Sequence, residues 1–117
     1  MVPNQTAFAK GMAAEYMVQT YWVEQGYAIL AHRYKTRWGE IDLIVHRGHD
    51  LVFCEVKNRK TTAQGLQSLT WRHRQRLSQT AEHFVQNQDP GRVWETMRFD
   101  LVVVSQNNAL PYAGLYT

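Results

Sequence analysis

The chain has 117 residues, of which 44% are hydrophobic, with a net charge of +3 and one cysteine. This length and composition predict one domain over residues 1–117, with a core at about 6–105 and a tail at 106–117, and exclude a disordered or disulfide-dependent chain. No stretch approaches the roughly 20 apolar residues of a membrane span, and residues 1–6 lack the pattern of a secretory signal. With only Cys54, we expect a cytoplasmic protein that does not contact membranes.

The first predicted element is a helix from about Thr6 to Gln25, with Asn4 or Thr6 as its cap and Gly26 as its end. Its inward stripe at helical spacing consists of Gly11, Ala14, Val18 and Trp22. Glu15 falls within this stripe instead of on the opposite side. The helix is therefore expected to aim a carboxylate at the core.

Two apolar strands, expected after a first strand at Tyr27–Tyr34, carry charged residues at positions that normally hold apolar ones. Asp42 lies within Gly39–Val45, and Glu55 and Lys57 lie within Leu51–Lys57. A two-residue loop at Gly48 and His49 would pair residues whose numbers sum to 97, so Asp42 would face Glu55 and Glu40 would face Lys57.

Opposed like charges destabilise an antiparallel pair, so the predicted pairing requires a cation between Asp42 and Glu55. Mg²⁺ (or Mn²⁺) fits this position, because hard divalent ions take oxygen ligands and usually keep coordination positions for water and substrate phosphate. Two carboxylates and Lys57 in this arrangement indicate a site that cleaves phosphodiester bonds.

The remaining elements complete an α/β pattern. A polar loop follows Lys57, and a helix is expected from Leu66 to about Gln86, because apolar residues and His73 recur there at spacings of three and four. The apolar run Met97–Ser105 predicts a buried strand, which a right-handed crossover would place parallel in the sheet. The tail has no clear period. The predicted order is αβββαβ, with a mixed central sheet flanked by helices.

The charges are unevenly distributed along the chain. Four of the ten acidic residues (Glu15, Glu40, Asp42 and Glu55) belong to the candidate site, which leaves six to offset 13 Lys and Arg residues. Such a basic remainder favours a phosphate-bearing partner. The candidate contacts are Arg37, Arg59, Lys60, Arg72, Arg74 and Arg76, although arginines on a helix are often only a solvated face. Trp38 and Trp71 are candidates for stacking on bases or for packing.

Asp42, followed on the next strand by Glu55-Val56-Lys57, resembles the signature of the PD-(D/E)xK endonuclease-like superfamily, whose common core has the same order of elements. More narrowly, the segments 11–15, 39–44, 53–59 and 98–100 together resemble the YraN-type family of small, largely uncharacterised bacterial proteins. This resemblance covers roughly residues 8–104. It implies a restriction-endonuclease-like fold and kinship with archaeal Holliday-junction resolvases, which are metal-dependent homodimers.

The resemblance also implies roles for individual residues. Asp42 and Glu55 would be metal carboxylates, Lys57 the catalytic lysine and Glu15 the first-helix glutamate. From the chemistry of such a site, the Val56 carbonyl would be a further metal ligand, and Lys57 would orient a water or balance charge in the transition state. Glu15 would complete the metal shell or hold a second ion or a water. Glu40 is not part of the resemblance, but it faces Lys57 in the predicted register and would position it. The chain departs from the family patterns at three positions, which are Ile41 for proline, Cys54 for valine and His73 for lysine.

These observations predict a Mg²⁺-dependent endonuclease that acts on DNA more than on RNA, with branched DNA among its substrates, as a homodimer. Two alternatives stay open. The chain could be a nucleic-acid-binding module with a vestigial nuclease site, or a protein-interaction scaffold.

Overall fold

The computed structural model describes residues 6–114, which contain three helices and five strands. The helices are α1 (Ala7–Glu24), α2 (Thr62–Gln67) and α3 (Trp71–Asn87). The strands are β1 (Ala28–Thr36), β2 (Gly39–Arg47), β3 (Asp50–Asn58), β4 (Thr96–Ser105) and β5 (Asn108–Tyr112). Asn4, the alternative cap of the first helix, lies outside the described residues. The last three residues of the tail also lie outside them.

The start and inward face of α1 follow the sequence closely. Thr6 caps the helix, because its Oγ1 accepts a hydrogen bond from the Ala9 amide at 3.1 Å. The predicted inward face is confirmed for Ala14, Glu15, Val18 and Trp22, which are buried, whereas Gly11 is only half-buried. Glu15 is 9% exposed, so the helix does aim a carboxylate inward.

The β2–β3 hairpin has the predicted two-residue loop. Five residue pairs, from Leu43 opposite Cys54 to Arg47 opposite Asp50, have numbers that sum to 97. Gly48 at the first loop position has φ +59, which a type II′ turn requires and which glycine adopts without steric strain. The register of the hairpin is therefore confirmed over these five pairs.

The five strands form one mixed sheet in the order β1-β2-β3-β4-β5, with β3 and β4 parallel and the other neighbours antiparallel. The helix α1 packs on one face, against side chains that include Leu43 and Cys54. The helix α3 packs on the other face, against side chains that include Ile44 and Phe53. The predicted fold class is confirmed, since a mixed sheet flanked by helices is consistent with a restriction-endonuclease-like core.

Two parts of the fold differ from the sequence prediction. The expected helix from Leu66 to Gln86 is two helices, because Ser68 ends α2 and the Thr70 hydroxyl caps α3 by accepting a hydrogen bond from the His73 amide at 3.1 Å. The tail, which has no clear period in the sequence, contributes the edge strand β5. No helix within residues 6–114 is both long enough and apolar enough to cross a membrane.

Candidate active site

The candidate site lies where β2 and β3 separate. The pairing of the two strands stops at Leu43 and Cys54, one step before the predicted pair of Asp42 and Glu55. Side chains replace the backbone pairing there: the Val56 amide donates to Asp42 Oδ2 at 2.8 Å, and the Asp42 amide donates to Glu55 Oε1 at 3.4 Å. The two carboxylates thus meet in the opening between the strands, as the sequence predicts.

This separation also affects the predicted pair of Glu40 and Lys57. The pair lies beyond the end of the β2–β3 ladder, and Glu40 pairs on its other side with Lys35 of β1. The role of Glu40 in positioning Lys57 stays a prediction.

The two carboxylates share a poorly solvated environment. Glu55 is 4% exposed and Asp42 is partly buried. Burial, together with the charge of Glu55, raises the pKa of Asp42 from 3.8 to about 7, although the hydrogen bond from the Val56 amide opposes the shift. The raised pKa of Asp42, in a buried position beside a second carboxyl group, indicates a position that favours a cation.

Glu15 approaches from the α1 side of the sheet and is held by two consecutive residues of β1. Its Oε2 lies 3.1 Å from His32 Nε2 and 3.1 Å from the Arg33 guanidinium. Consecutive strand residues normally point to opposite faces, but Arg33 has φ +55, and this local twist lets both side chains reach one carboxylate. Sequence analysis did not identify His32 or Arg33, because a left-handed conformation at an arginine has no sequence signal.

His73 of α3 reaches Glu55 from the opposite side of the sheet. Its Nε2 lies 3.4 Å from Glu55 Oε2 but lacks hydrogen-bond geometry, so this buried nitrogen has no hydrogen-bond partner. The sequence signal was the position of His73 within the apolar line of the helix. A buried nitrogen that has no hydrogen-bond partner and lies next to a carboxylate indicates that His73 is part of the site.

Oxygen atoms are the main donors available to a metal at this site. No group of three or more His, Cys, Asp or Glu side chains in the described part of the chain is arranged around a common metal position. Mg²⁺ does not require such a cage, because it is usually bound through one or two carboxylates and completed by water and substrate phosphates. Asp42 and Glu55 fit this requirement. The Val56 carbonyl fits as a further ligand. The Val56 amide donates toward β2, and the N–H and C=O groups of one strand residue point to the same side.

The predicted cations are distributed over several elements of the fold. Lys57 and Arg59 line a cavity of about 370 Å³ between α1 and the end of β3. Arg37 stacks its guanidinium 4.7 Å from the centre of the Trp38 ring at the β1–β2 turn. The other predicted contacts are exposed on the segment after β3 and on α3, namely Lys60, Arg72, Arg74 and Arg76.

Comparison with known proteins places the candidate site within a family. A model described as the uncharacterised protein family UPF0102 matches residues 14–104, which include Glu15, Asp42, Glu55 and Lys57. A UPF0102 protein of Mesorhizobium japonicum is 38% identical over 102 residues, which cover 86% of this chain and 80% of that protein. A UPF0102 protein of Azorhizobium caulinodans is 39% identical over 104 residues, which cover 89% of this chain and 79% of that protein.

A third relative gives a similar match. A UPF0102 protein of Synechococcus sp. is 37% identical over 109 residues, which cover 90% of this chain and 82% of that protein. The family description names no reaction, so function has to be argued from the site. These matches confirm the resemblance to the YraN-type family, and the chain belongs to family UPF0102.

Proposed function

We propose that this protein is a Mg²⁺-dependent endonuclease that hydrolyses phosphodiester bonds in DNA, branched DNA included. The observation that carries the proposal is the meeting of Asp42 and Glu55 at the end of the β2–β3 ladder, where the pKa of Asp42 is raised to about 7. None of the four ion pairs identified within residues 6–114 includes Asp42, on which Lys57 acts through its charge alone, and Glu55 has His73 Nε2 at 3.4 Å. A divalent cation is the simplest group that stabilises both carboxylates.

Each residue has a role that its position supports. Asp42, Glu55 and the Val56 carbonyl would hold Mg²⁺ (or Mn²⁺), which supplies positive charge that polarises a phosphoryl oxygen and lowers the pKa of water. Lys57 lies two residues after Glu55 and would orient the attacking water or stabilise the negative charge that develops on the phosphoryl group. Glu15, already neutralised by Arg33, would accept a hydrogen bond from a water at the α1 side of the site.

The charges around the site support a nucleic-acid substrate. From Val56 to Ala81 the chain has six Lys and Arg residues and no Asp or Glu. The helix α3 carries three of these arginines, and its Trp71 is 71% exposed next to Arg74. An exposed aromatic ring among cations suits stacking on an unpaired base, and it favours substrates with single-stranded or branched segments over plain duplex.

The experiment is a cleavage assay with labelled four-way junction, flap, single-stranded DNA, duplex DNA and RNA, in Mg²⁺ and in EDTA. We expect cleavage in Mg²⁺ only. Asp42→Asn and Glu55→Gln should each lower the rate by about 10²-fold or more, as removal of a group that stabilises transition-state charge does. Asp50→Asn is the matched control, because Asp50 lies at the far end of β3, where it bonds Thr96 Oγ1 at 2.6 Å. Equal cleavage by the wild type and both site variants would disprove the assignment.

A non-catalytic nucleic-acid-binding module is the second candidate. It is favoured by the engagement of Glu15 with His32 and Arg33, because this carboxylate is then not free to complete the metal shell or to hold a second ion. Titration calorimetry separates the two functions. Saturable Mg²⁺ binding that Asp42→Asn abolishes supports the nuclease, whereas salt-dependent DNA binding without Mg²⁺ uptake supports the module.

We also propose that the protein acts in the cytoplasm as a homodimer, as the resemblance to the resolvases implies. Sedimentation equilibrium with and without a four-way junction measures the state of assembly. A monomer under both conditions would contradict the dimer and leave the cleavage assay unaffected.

A further inference from the structure

A cavity of about 370 Å³ opens beside the candidate site, between the first half of α1 and the end of β3. Its α1 wall is formed by the small residues Ala7, Gly11 and Ala14, and cations stand around it at Lys10, Lys57 and Arg59. Val56, whose amide donates to Asp42 Oδ2 at 2.8 Å, also lines the cavity, so the cavity begins next to the carboxylates of the site.

The cavity carries excess positive charge. No ion pair in the described part of the chain joins Lys10, Lys57 or Arg59 to a carboxylate. Glu15 also lines the cavity, but the Arg33 guanidinium at 3.1 Å already compensates its charge. Three cations that line one cavity favour the entry of an anion.

Gly11 has no structural explanation within the fold. A glycine inside a helix destabilises it relative to alanine, so packing or function has to account for it. At Gly65 of α2 packing does so, because an added Cβ would lie 2.6 Å from a methyl group of Val103. At Gly11 an added Cβ would meet no atom within 4 Å. The space above Gly11 belongs to the cavity.

The shape of the cavity favours a chain over a small anion. A second cavity of about 240 Å³ shares Lys10, Ala14 and Asn58 with the first and extends along α1 to Gln106 and Asn107 at the β4–β5 turn. The two cavities adjoin along α1, and we call them together the groove; the Asn58 side chain, which lines both, donates to the Lys10 carbonyl at 3.5 Å. A polymer with a regular series of negative charges fits such a groove better than a single phosphate does.

We infer that this groove binds the sugar–phosphate backbone of the nucleic-acid strand next to the scissile bond. Lys10 and Arg59 contact its phosphates, and Gly11 allows the backbone to approach α1 closely. This inference rests on the proposed function, because it assigns the path of the substrate strand at the same site.

The test compares side chains that fill the groove with side chains added elsewhere on α1. Gly11→Leu adds a good helix former to the groove, Gly11→Ala adds only a methyl group, and Val23→Leu places a leucine at an exposed position more than three turns further along α1. Binding of a fluorescently labelled DNA single strand and of a junction is measured by polarisation in EDTA, so that cleavage does not interfere. We expect Gly11→Leu to weaken binding by about tenfold or more and the other two variants by less than about twofold. The thermal midpoint of Gly11→Leu should be equal to or higher than that of the wild type.

Lys10→Gln and Arg59→Gln test the same groove without changing its volume. Each should lower the slope of log affinity against log salt concentration by about 0.7 to 0.9, the contribution of one phosphate contact. A folded Gly11→Leu that binds DNA like the wild type would overturn the inference, as would unchanged salt slopes in both charge variants.

The outcomes also separate the inference from the proposed function. Cleavage by the wild type and by Gly11→Leu at equal rates and affinities retains the nuclease and rejects the groove. DNA binding that depends on Gly11, in a wild type that does not cleave in Mg²⁺, retains the groove and rejects the nuclease. A wild type that neither binds nor cleaves nucleic acid rejects both.

Discussion

The sheet holds two buried acidic centres that differ in how their charge is compensated. Asp100 of β4 is 1% exposed, and its oxygens accept hydrogen bonds from Arg98 Nε at 2.9 Å, Arg98 Nη2 at 3.2 Å and the Gly114 amide at 2.9 Å. Asp42 and Glu55 have each other, backbone amides and a histidine nitrogen without hydrogen-bond geometry. A saturated carboxylate stabilises the fold, whereas an undersaturated pair is arranged for a ligand.

The largest expected effect comes from a substitution in the saturated centre, that of Asp100 and Arg98. Arg98→Ala should lower the free energy of unfolding by about 3 kcal/mol, because it leaves the buried charge of Asp100 uncompensated. Asp42→Asn should be neutral or stabilising in EDTA, because it removes one of two repelling charges. Urea unfolding in EDTA measures both, with the exposed Arg72→Ala as the control. If Asp42→Asn destabilises the protein as much as Arg98→Ala does, the two centres do not differ in this way.

The pH dependence of the unfolding free energy tests the undersaturated centre, that of Asp42 and Glu55. The pKa of Asp42 is raised in the folded protein from 3.8 to about 7, so folding favours its protonated form. The stabilisation that protonated Asp42 gives the folded protein is fully present below about pH 4 and is lost as the pH rises through 7. Each pKa unit corresponds to about 1.4 kcal/mol, and because Asp42 keeps some solvent access we expect a total loss of about 2 to 3 kcal/mol.

This loss should be absent in Asp42→Asn, which is the matched control for all other titrating groups. Unfolding free energies in EDTA at pH 4 to 8 measure the difference between the two proteins. If the unfolding free energies of the two proteins change with pH in parallel, Asp42 does not titrate as expected.

Mg²⁺ should reverse the destabilisation at neutral pH. At a Mg²⁺ concentration about twenty times its Kd, a ligand that binds only the folded state adds about 1.8 kcal/mol to the free energy of unfolding. We expect this gain in the wild type and not in Asp42→Asn or Glu55→Gln. Thermal melts at pH 7.5 over a Mg²⁺ series measure it, and Asp50→Asn should respond like the wild type. Equal stabilisation of Asp42→Asn would place the ion elsewhere.

Much of the undersaturated centre could be predicted from the sequence, because it depends on local rules. The two-residue loop at Gly48 fixed the register, and strand alternation then brought Asp42 and Glu55 together. The inward position of Glu15 followed from helical spacing on α1. These features depend on neighbouring residues and therefore appear in the sequence pattern.

The surroundings of the two centres could not be predicted in the same way. The contact of Arg33 with Glu15 needs a left-handed φ that only the folded chain imposes. The break between α2 and α3 follows from the caps at Ser68 and Thr70, which the apolar spacing of the segment does not reveal. The strand β5 and the bond from the Gly114 amide to Asp100 depend on tertiary pairing, which no local period predicts.

Cys54 gives the smallest expected effect, because it lies between the two centres without belonging to either. It is fully buried, it stands opposite Asp100 in the parallel register, and its Sγ accepts a hydrogen bond from Trp22 Nε1 at 3.3 Å. Burial raises the pKa of this thiol, which argues against a nucleophile. Cys54→Val should lower the free energy of unfolding by about 1 kcal/mol, because the buried indole N–H loses its acceptor.

The other measurements should not change in Cys54→Val. Its pH dependence, its response to Mg²⁺ and its cleavage rate should equal those of the wild type, since neither Asp42 nor Asp100 loses a hydrogen bond. Urea unfolding and the cleavage assay, run side by side, check this expectation. A loss of Mg²⁺ stabilisation in Cys54→Val would mean that the two centres are coupled through β3, and the saturated one would then contribute to the geometry of the site as well as to the stability of the sheet.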